Sequence, residues 1–250
     1  MLVYNTTSEA YLGTLKDIIT NTDYVSSPRG LKILEKMNYS FKVLNPSDSP
    51  IVTMSENRNK KIASYTEKEK QLYESCSNRV EDFAKASKFW EQIANPDGTI
   101  NSAYGYLIWK NKSHGGTFDS EKITPWEWAK TSLIRDKDTR QAILRFSLPE
   151  HQWSGNKDQV CTMHGIFHIR DNKLHLTINM RSNDVVLGLA YDMPWFCSLI
   201  DKMLQELKPV YPELSKGTYT HIVHSMHVYE KDINLVNEML GVTNENTGSR

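Results

Sequence analysis

Three cysteines and eight histidines are the reactive stock of this 250-residue chain. Cys76, Cys161 and Cys197 are an odd, widely spaced set, a poor disulfide framework that fits a reducing compartment and leaves a thiol free to act as a nucleophile. Cys161 stands twenty residues ahead of Arg181-Ser182-Asn183-Asp184, whose arginine would lower the thiol pKa if the two converge. Cys76 and Cys197 read as surface and core, the usual uses of cysteine. Cys161, His164 and His168 spell Cys-x2-His-x3-His, and His221, His224 and His227 form a second cluster, so zinc has to be considered. On a regular strand, residues an odd number apart face opposite ways, which sets Cys161 against His164, and no metal is expected. Asp192, just ahead of a helical pattern, can serve as the N-cap of that helix, a use compatible with a second role for the same carboxyl.

These groups must be positioned by elements that the pattern itself predicts. Tyr11, Leu12, Leu15, Ile18 and Ile19 follow the helical period, giving an amphipathic helix from Ser8. Met37, Tyr39, Phe41 and Val43 alternate with polar residues as a half-buried strand, ended by the Asn45 to Pro50 loop. Glu67 to Lys88 is charged and helix-permissive, Asn95-Pro96-Asp97-Gly98 is a turn, and Lys110 to Ser120 is a loop. Thr124-Pro125-Trp126-Glu127 is a capping box with proline at the first helical position, starting a helix that runs to about Asp136; Trp126 and Trp128 belong to that helix and the core. Strands follow at Ala142 to Ser147, Val160 to Arg170, Leu174 to Arg181 and Thr218 to Tyr229. Between the last two, Trp195, Leu199, Met203 and Leu207 recur every four residues in a buried helix, Met193 to Leu207.

Thirty basic residues balance thirty acidic ones, so there is no global pull toward nucleic acid or anionic lipid, and any anion site is built locally. The longest charge-free apolar run, Val185 to Tyr191, is far short of the roughly 20 residues of a membrane span. The first five residues lack a signal-peptide pattern, so a cytoplasmic location is expected. With no repeat and no low-complexity divider, the expectation is one α+β catalytic domain over 1–240 on a mixed or antiparallel sheet packed by helices, then a flexible tail, 241–250.

Arg181-Ser182-Asn183-Asp184, the apolar run containing Gly188, and Asp192 before a long helix resemble, in order and spacing, the thymidylate synthase superfamily. Cys161 stands where that family keeps its nucleophile, and Ser225-Met226-His227-Val228-Tyr229 looks like its His-x-Tyr sugar pair. Glu69 with Tyr73, Trp90, Tyr104-Gly105 and Asp138-Thr139-Arg140 extend the resemblance from about Asp23 to Tyr229. At the base-reading position synthases carry Asn. Asp192, with the wording Asn-Met-Arg-Ser-Asn-Asp-Val-Val, is similar to the phage deoxycytidylate hydroxymethylase branch.

The resemblance implies a cytidylate 5-hydroxymethyltransferase that uses 5,10-methylenetetrahydrofolate. Cys161 would add to pyrimidine C6, so that C5 becomes nucleophilic toward the one-carbon unit. Glu69 would activate water or shuttle protons, and Asp192 would read the base. Arg181, Ser182, Arg140, Arg29, His227 and Tyr229 would hold the nucleotide, and Trp90, Asp184 and Tyr104 the folate. It also implies a homodimer with shared sites and requires no nucleic acid or membrane. Two phosphate-site arginines of the family are replaced, one by Gln141 and one by Pro28, with Arg29 a residue later. The alternatives are a cytidylate C5-methyltransferase or synthase-like enzyme, and a non-catalytic nucleotide-binding regulator of the same fold.

Overall fold

The computed structural model describes residues 1–112 and 122–242. In chain order they form β1 (Leu2–Tyr4), α1 (Thr7–Thr20), β2 (Tyr24–Ser26), β3 (Ile33–Val43), α2 (Glu56–Glu74), α3 (Val80–Ala86), α4 (Phe89–Ile93) and α5 (Tyr104–Trp109). There follow α6 (Pro125–Arg135), β4 (Ile143–Arg145), β5 (Thr162–Arg170), β6 (Lys173–Met180), β7 (Asn183–Asp184), α7 (Ala190–Leu207), β8 (Ser215–Tyr229) and α8 (Ile233–Met239). The strands make one mixed sheet in the order β1-β3-β8-β6-β5-β4, with β2 added to β3 and β7 to β8. The β3–β8, β5–β6, β4–β5 and β2–β3 pairs are antiparallel; β1–β3, β6–β8 and β7–β8 are parallel.

Helix α1 starts where Thr6 accepts a hydrogen bond from Glu9 N, and its stripe of Ala10, Tyr11, Leu15 and Ile18 is fully buried. Burying each of the larger side chains is worth about 2 kcal/mol. The capping box at Thr124 and Glu127 forms in both directions, and α6 ends at Asp136 as the sequence predicts. Trp126 is buried and Trp128 half-buried.

The Glu67 to Lys88 segment is two helices. Helix α2 begins earlier, at a Ser55 cap that accepts from Arg58 N, and stops before Cys76, whose φ of 54° leaves the helix. Its buried face is Arg58, Ile62, Thr66, Glu69, Leu72 and Tyr73. Half of that face is polar, so hydropathy did not reveal it. Helix α5 lies so close to α2 that a Cβ on Gly105 would fall 1.7 Å from the Tyr73 carbonyl oxygen. Only glycine fits there, and the approach stacks Tyr104 on Tyr73 with ring centroids 5.3 Å apart.

Helix α7 starts three residues before the predicted Met193, continuing a wide π-helical turn, Val185–Leu189. Of the Lys110 to Ser120 loop, 113–120 lie outside the described residues, as do residues 243–250 of the predicted tail. The tail's first two residues instead close α8: Gly241 takes φ 68°, and Val242 N bonds to Asn237 O at 2.9 Å. Among the described residues, no helix is long and apolar enough to cross a membrane.

Candidate active site

A hairpin brings Cys161 to Arg181. Asp171 and Asn172, at φ 52° and 53°, supply the left-handed pair that a two-residue turn between β5 and β6 needs. Pairing runs outward through His168↔His175 and His164↔Asn179, slips by one residue, and reaches Thr162↔Met180. The next pair out is Cys161 and Arg181, joined by Arg181 N to Cys161 O at 2.9 Å. The guanidinium then donates to Cys161 Sγ at 3.4 Å, to Val160 O at 3.1 Å and to Gln159 O. Twenty residues of separation are thus the two arms of one hairpin.

Burial pushes the Cys161 thiol up; Arg181 pulls it down, Asp192 and Asp158 raise it, and Arg29 lowers it. Arg29 is exposed on the Pro28–Gly30 turn at φ 54°, and its charge reaches both Cys161 and His227. Ser182 is half-buried between β6 and β7.

Strand β7 carries the rest of the arginine segment alongside β8, pairing Asn183 with Met226 and Asp184 with His227. His227 is buried, which lowers its pKa, and its ring is perpendicular to Tyr229 at 5.4 Å. Asp184 caps the π-helical turn by accepting from Val186 N at 2.9 Å. Burial pushes its carboxyl up to about 7. Asp192 is therefore not the cap that the sequence offered. It lies in the first turn of α7, where it accepts from Asn183 Nδ2 at 2.7 Å.

Burial also pushes Asp192 up to about 7, with Asn183 opposing the rise and the charge of Asp184 adding to it. Facing it from α2, Glu69 is raised to about 8, by burial and then by Asp192, against hydrogen bonds from Tyr65 and Tyr73. Two buried carboxyls, each raised toward neutral pH by burial and one further raised by the charge of the other, are suited to holding and moving protons near neutral pH. Trp90 is buried beside Phe83, with the largely exposed Phe89 against its edge at 5.8 Å. Tyr104 is set in the aromatic core, its hydroxyl accepting from Thr162 at 2.9 Å.

Arg140 is not brought to this cluster. It is exposed ahead of β4, and the Ile143↔Ile166 pairing directs it toward the Arg170 end of β5, away from Cys161. The histidines disperse. His221 stacks on Phe41 in the core, the exposed His224 bonds Asn38, and His164 and His168 alternate with buried positions on β5. Among the described residues, no three metal-binding side chains converge.

Two residues escaped the sequence reading. Arg58, buried on α2, donates to Val186 O at 2.6 Å and lies over the Tyr191 ring at 5.8 Å, bracing the turn ahead of Asp192. Asn183 touches Asp192 directly. An arginine in a charged helix and an asparagine in a polar run carry no signal in a single sequence.

The model of the family described as thymidylate synthase matches residues 9–248. The chain belongs to the thymidylate synthase family. The deoxycytidylate 5-hydroxymethyltransferase of Enterobacteria phage T6 is 30% identical over 221 residues, which are 86% of this chain and 82% of that protein. A thymidylate synthase of Bacillus subtilis subsp. natto is 27% identical over 237 residues, 89% of this chain and 79% of that one. The solved structure of thermostable thymidylate synthase A from Bacillus subtilis superposes with a TM-score of 0.69 at 22% identity, over 93% of this chain and 83% of that chain, and shares the fold. As a family member the chain is a folate-dependent one-carbon transferase.

Proposed function

We propose that this enzyme hydroxymethylates the base of cytidylate at C5, with 5,10-methylenetetrahydrofolate as cosubstrate. The observation that carries the reading is Asp192, a carboxyl in the site whose pKa is raised to about 7. Held neutral, it can donate to cytosine N3 and accept from the 4-amino group. The 30% identity to a deoxycytidylate 5-hydroxymethyltransferase supports the same branch.

Arg181, with Arg29 and Ser182, binds the phosphate, and His227 with Tyr229 meets the sugar hydroxyl. Cys161 Sγ adds to C6, the guanidinium 3.4 Å away favouring the thiolate. Neutralising Asp192 removes one of the charges that hold that thiol protonated, so reading cytosine and arming the nucleophile reinforce each other. Glu69, raised to about 8, shuttles a proton and activates the water that ends the reaction. The folate supplies the one-carbon unit. Trp90 and the exposed Phe89 face offer an aromatic wall that suits a pterin, and Asp184 and Tyr104 are the other residues assigned to the folate. Arg140, remote from its own site, completes the phosphate pocket of a second copy in a twofold dimer.

The test is mass spectrometry of CMP, dCMP, dUMP and UMP incubated with 5,10-methylenetetrahydrofolate. Addition of CH2O to a cytidylate is expected. Addition of CH2 would mean a methyltransferase, reaction of uridylates alone a synthase, and no tritium release from C5-labelled nucleotide a non-catalytic protein. For the dimer, mixed Cys161→Ser and Arg140→Ala subunits, each inactive alone, should regain activity through hybrids.

A further inference from the structure

A neutral carboxyl does not by itself tell cytosine from uracil. Moving its proton from one oxygen to the other exchanges donor and acceptor, so a free carboxylic acid pairs as well with the N3-H and O4 of uracil as with the N3 and 4-amino group of cytosine. Something must fix the proton. Asn183 is 3% exposed on β7, and its Nδ2 donates to Asp192 Oδ2 at 2.7 Å and to Met180 Sδ at 3.0 Å. Its Oδ1 is buried and has no hydrogen-bond partner among the described residues. A Cβ on residue 188 would lie 3.3 Å from that Oδ1 and 3.4 Å from Asp192 Oδ2, so Gly188 leaves the pair undisturbed.

We propose that Asn183 is a positioning residue that fixes which oxygen of Asp192 carries the proton, and thereby selects cytosine over uracil. An oxygen that accepts the amide N–H is held as the acceptor, so Oδ2 stays the carbonyl and the proton resides on Oδ1. The carboxyl then presents one fixed donor and one fixed acceptor, the complement of cytosine. The inference rests on the assignment of Asp192 as base reader. Asp192 is also faced by Glu69 and Tyr73 on α2, Tyr104 on α5, Tyr219 on β8, Asp184 on β7, and Cys161. Of these, Asp184 raises the carboxyl as a whole and the others feel its charge, whereas Asn183 bonds one oxygen.

The experiment measures kcat/KM for cytidylate and uridylate by C5 tritium release from pH 5.5 to 9, in wild type, Asn183→Leu, Asn183→Asp and Asp192→Asn. Asn183→Leu, close in size and without a donor, should lower the cytidylate preference about tenfold, the scale of one ordinary hydrogen bond. It should also move the alkaline decline of cytidylate turnover upward, because the lost N–H favoured the ionised carboxylate. Asn183→Asp should recover the preference at acid pH, where its protonated carboxyl can donate, and lose it as pH rises. Parallel losses for both nucleotides, or a wild type that prefers uridylate, would overturn the inference. If Asp192→Asn leaves the ratio unchanged, the base-reading assignment itself fails. If Asp192→Asn alters the ratio and Asn183→Leu does not, only the role of Asn183 falls. Melting curves identify a variant that does not fold; should that be Asn183→Leu, the pH dependence of Asn183→Asp decides.

Discussion

Removing the Arg181 charge should disarm the Cys161 thiol by an amount the geometry sets. Arg181 Nη2 is 3.4 Å from Cys161 Sγ, and at that distance a charge pair is worth about 1 kcal/mol in water and about 5 kcal/mol at an effective dielectric of 20. The guanidinium belongs to an exposed residue, so screening favours the lower end, roughly one pKa unit. Arg181→Met keeps much of the aliphatic stem and loses the charge. Its thiol should titrate about one unit higher, and because only the thiolate reacts, alkylation below that pKa should slow about tenfold. The assay is iodoacetamide labelling across pH with the Cys161 peptide quantified by mass spectrometry, which separates it from the partly exposed Cys76 and the buried Cys197. Asp192→Asn supplies the opposite sign. The charge of Asp192 raises the thiol, and that carboxyl ionises only near pH 7, so the variant should label faster above pH 7 and like wild type well below it. An Arg181→Met midpoint that is unchanged or lower would refute the electrostatic account.

Glu69 is raised to about 8 from an ordinary value of about 4.3, so its protonated form favours the fold, and that stability is fully present at acid pH and lost as pH rises through 8. Glu69→Gln should therefore melt several degrees above wild type at pH 8.5, close to it at pH 4, and lack turnover; an equal shift at both pH values would contradict this. Arg58→Met leaves the Val186 carbonyl without its partner, at a cost of about 1 to 3 kcal/mol in urea unfolding, and should lower kcat by loosening the turn ahead of Asp192. Gly105→Ala drives a Cβ into the Tyr73 carbonyl, backbone against backbone, and should lower stability by about 3 kcal/mol, read by circular dichroism melting; a neutral result would mean that α5 can move away from α2.

The sequence by itself determined every element whose signal is local. The capping box at Thr124, the apolar stripe of α1 and the alternation in β3 and β8 are set by near neighbours, and each appears where its pattern stands. It also supplied the order and spacing of Cys161, Arg181, Asp192 and the His227–Tyr229 pair, and with them the family. What it left open depends on contacts between distant segments. The start of α2 is hidden because the buried face of its first turns carries Arg58 and Thr66, and the polarity of Arg58 makes sense only against Val186 and Tyr191. The capping that the sequence offered Asp192 falls to Asp184, eight residues earlier, which meets the free backbone N–H of Val186. Asn183 and Asp192 are nine residues apart, and only the wide turn over Gly188 brings them to 2.7 Å. A carboxyl's proton affinity is set by burial and by neighbouring charge, and both arise only when the chain has closed around it.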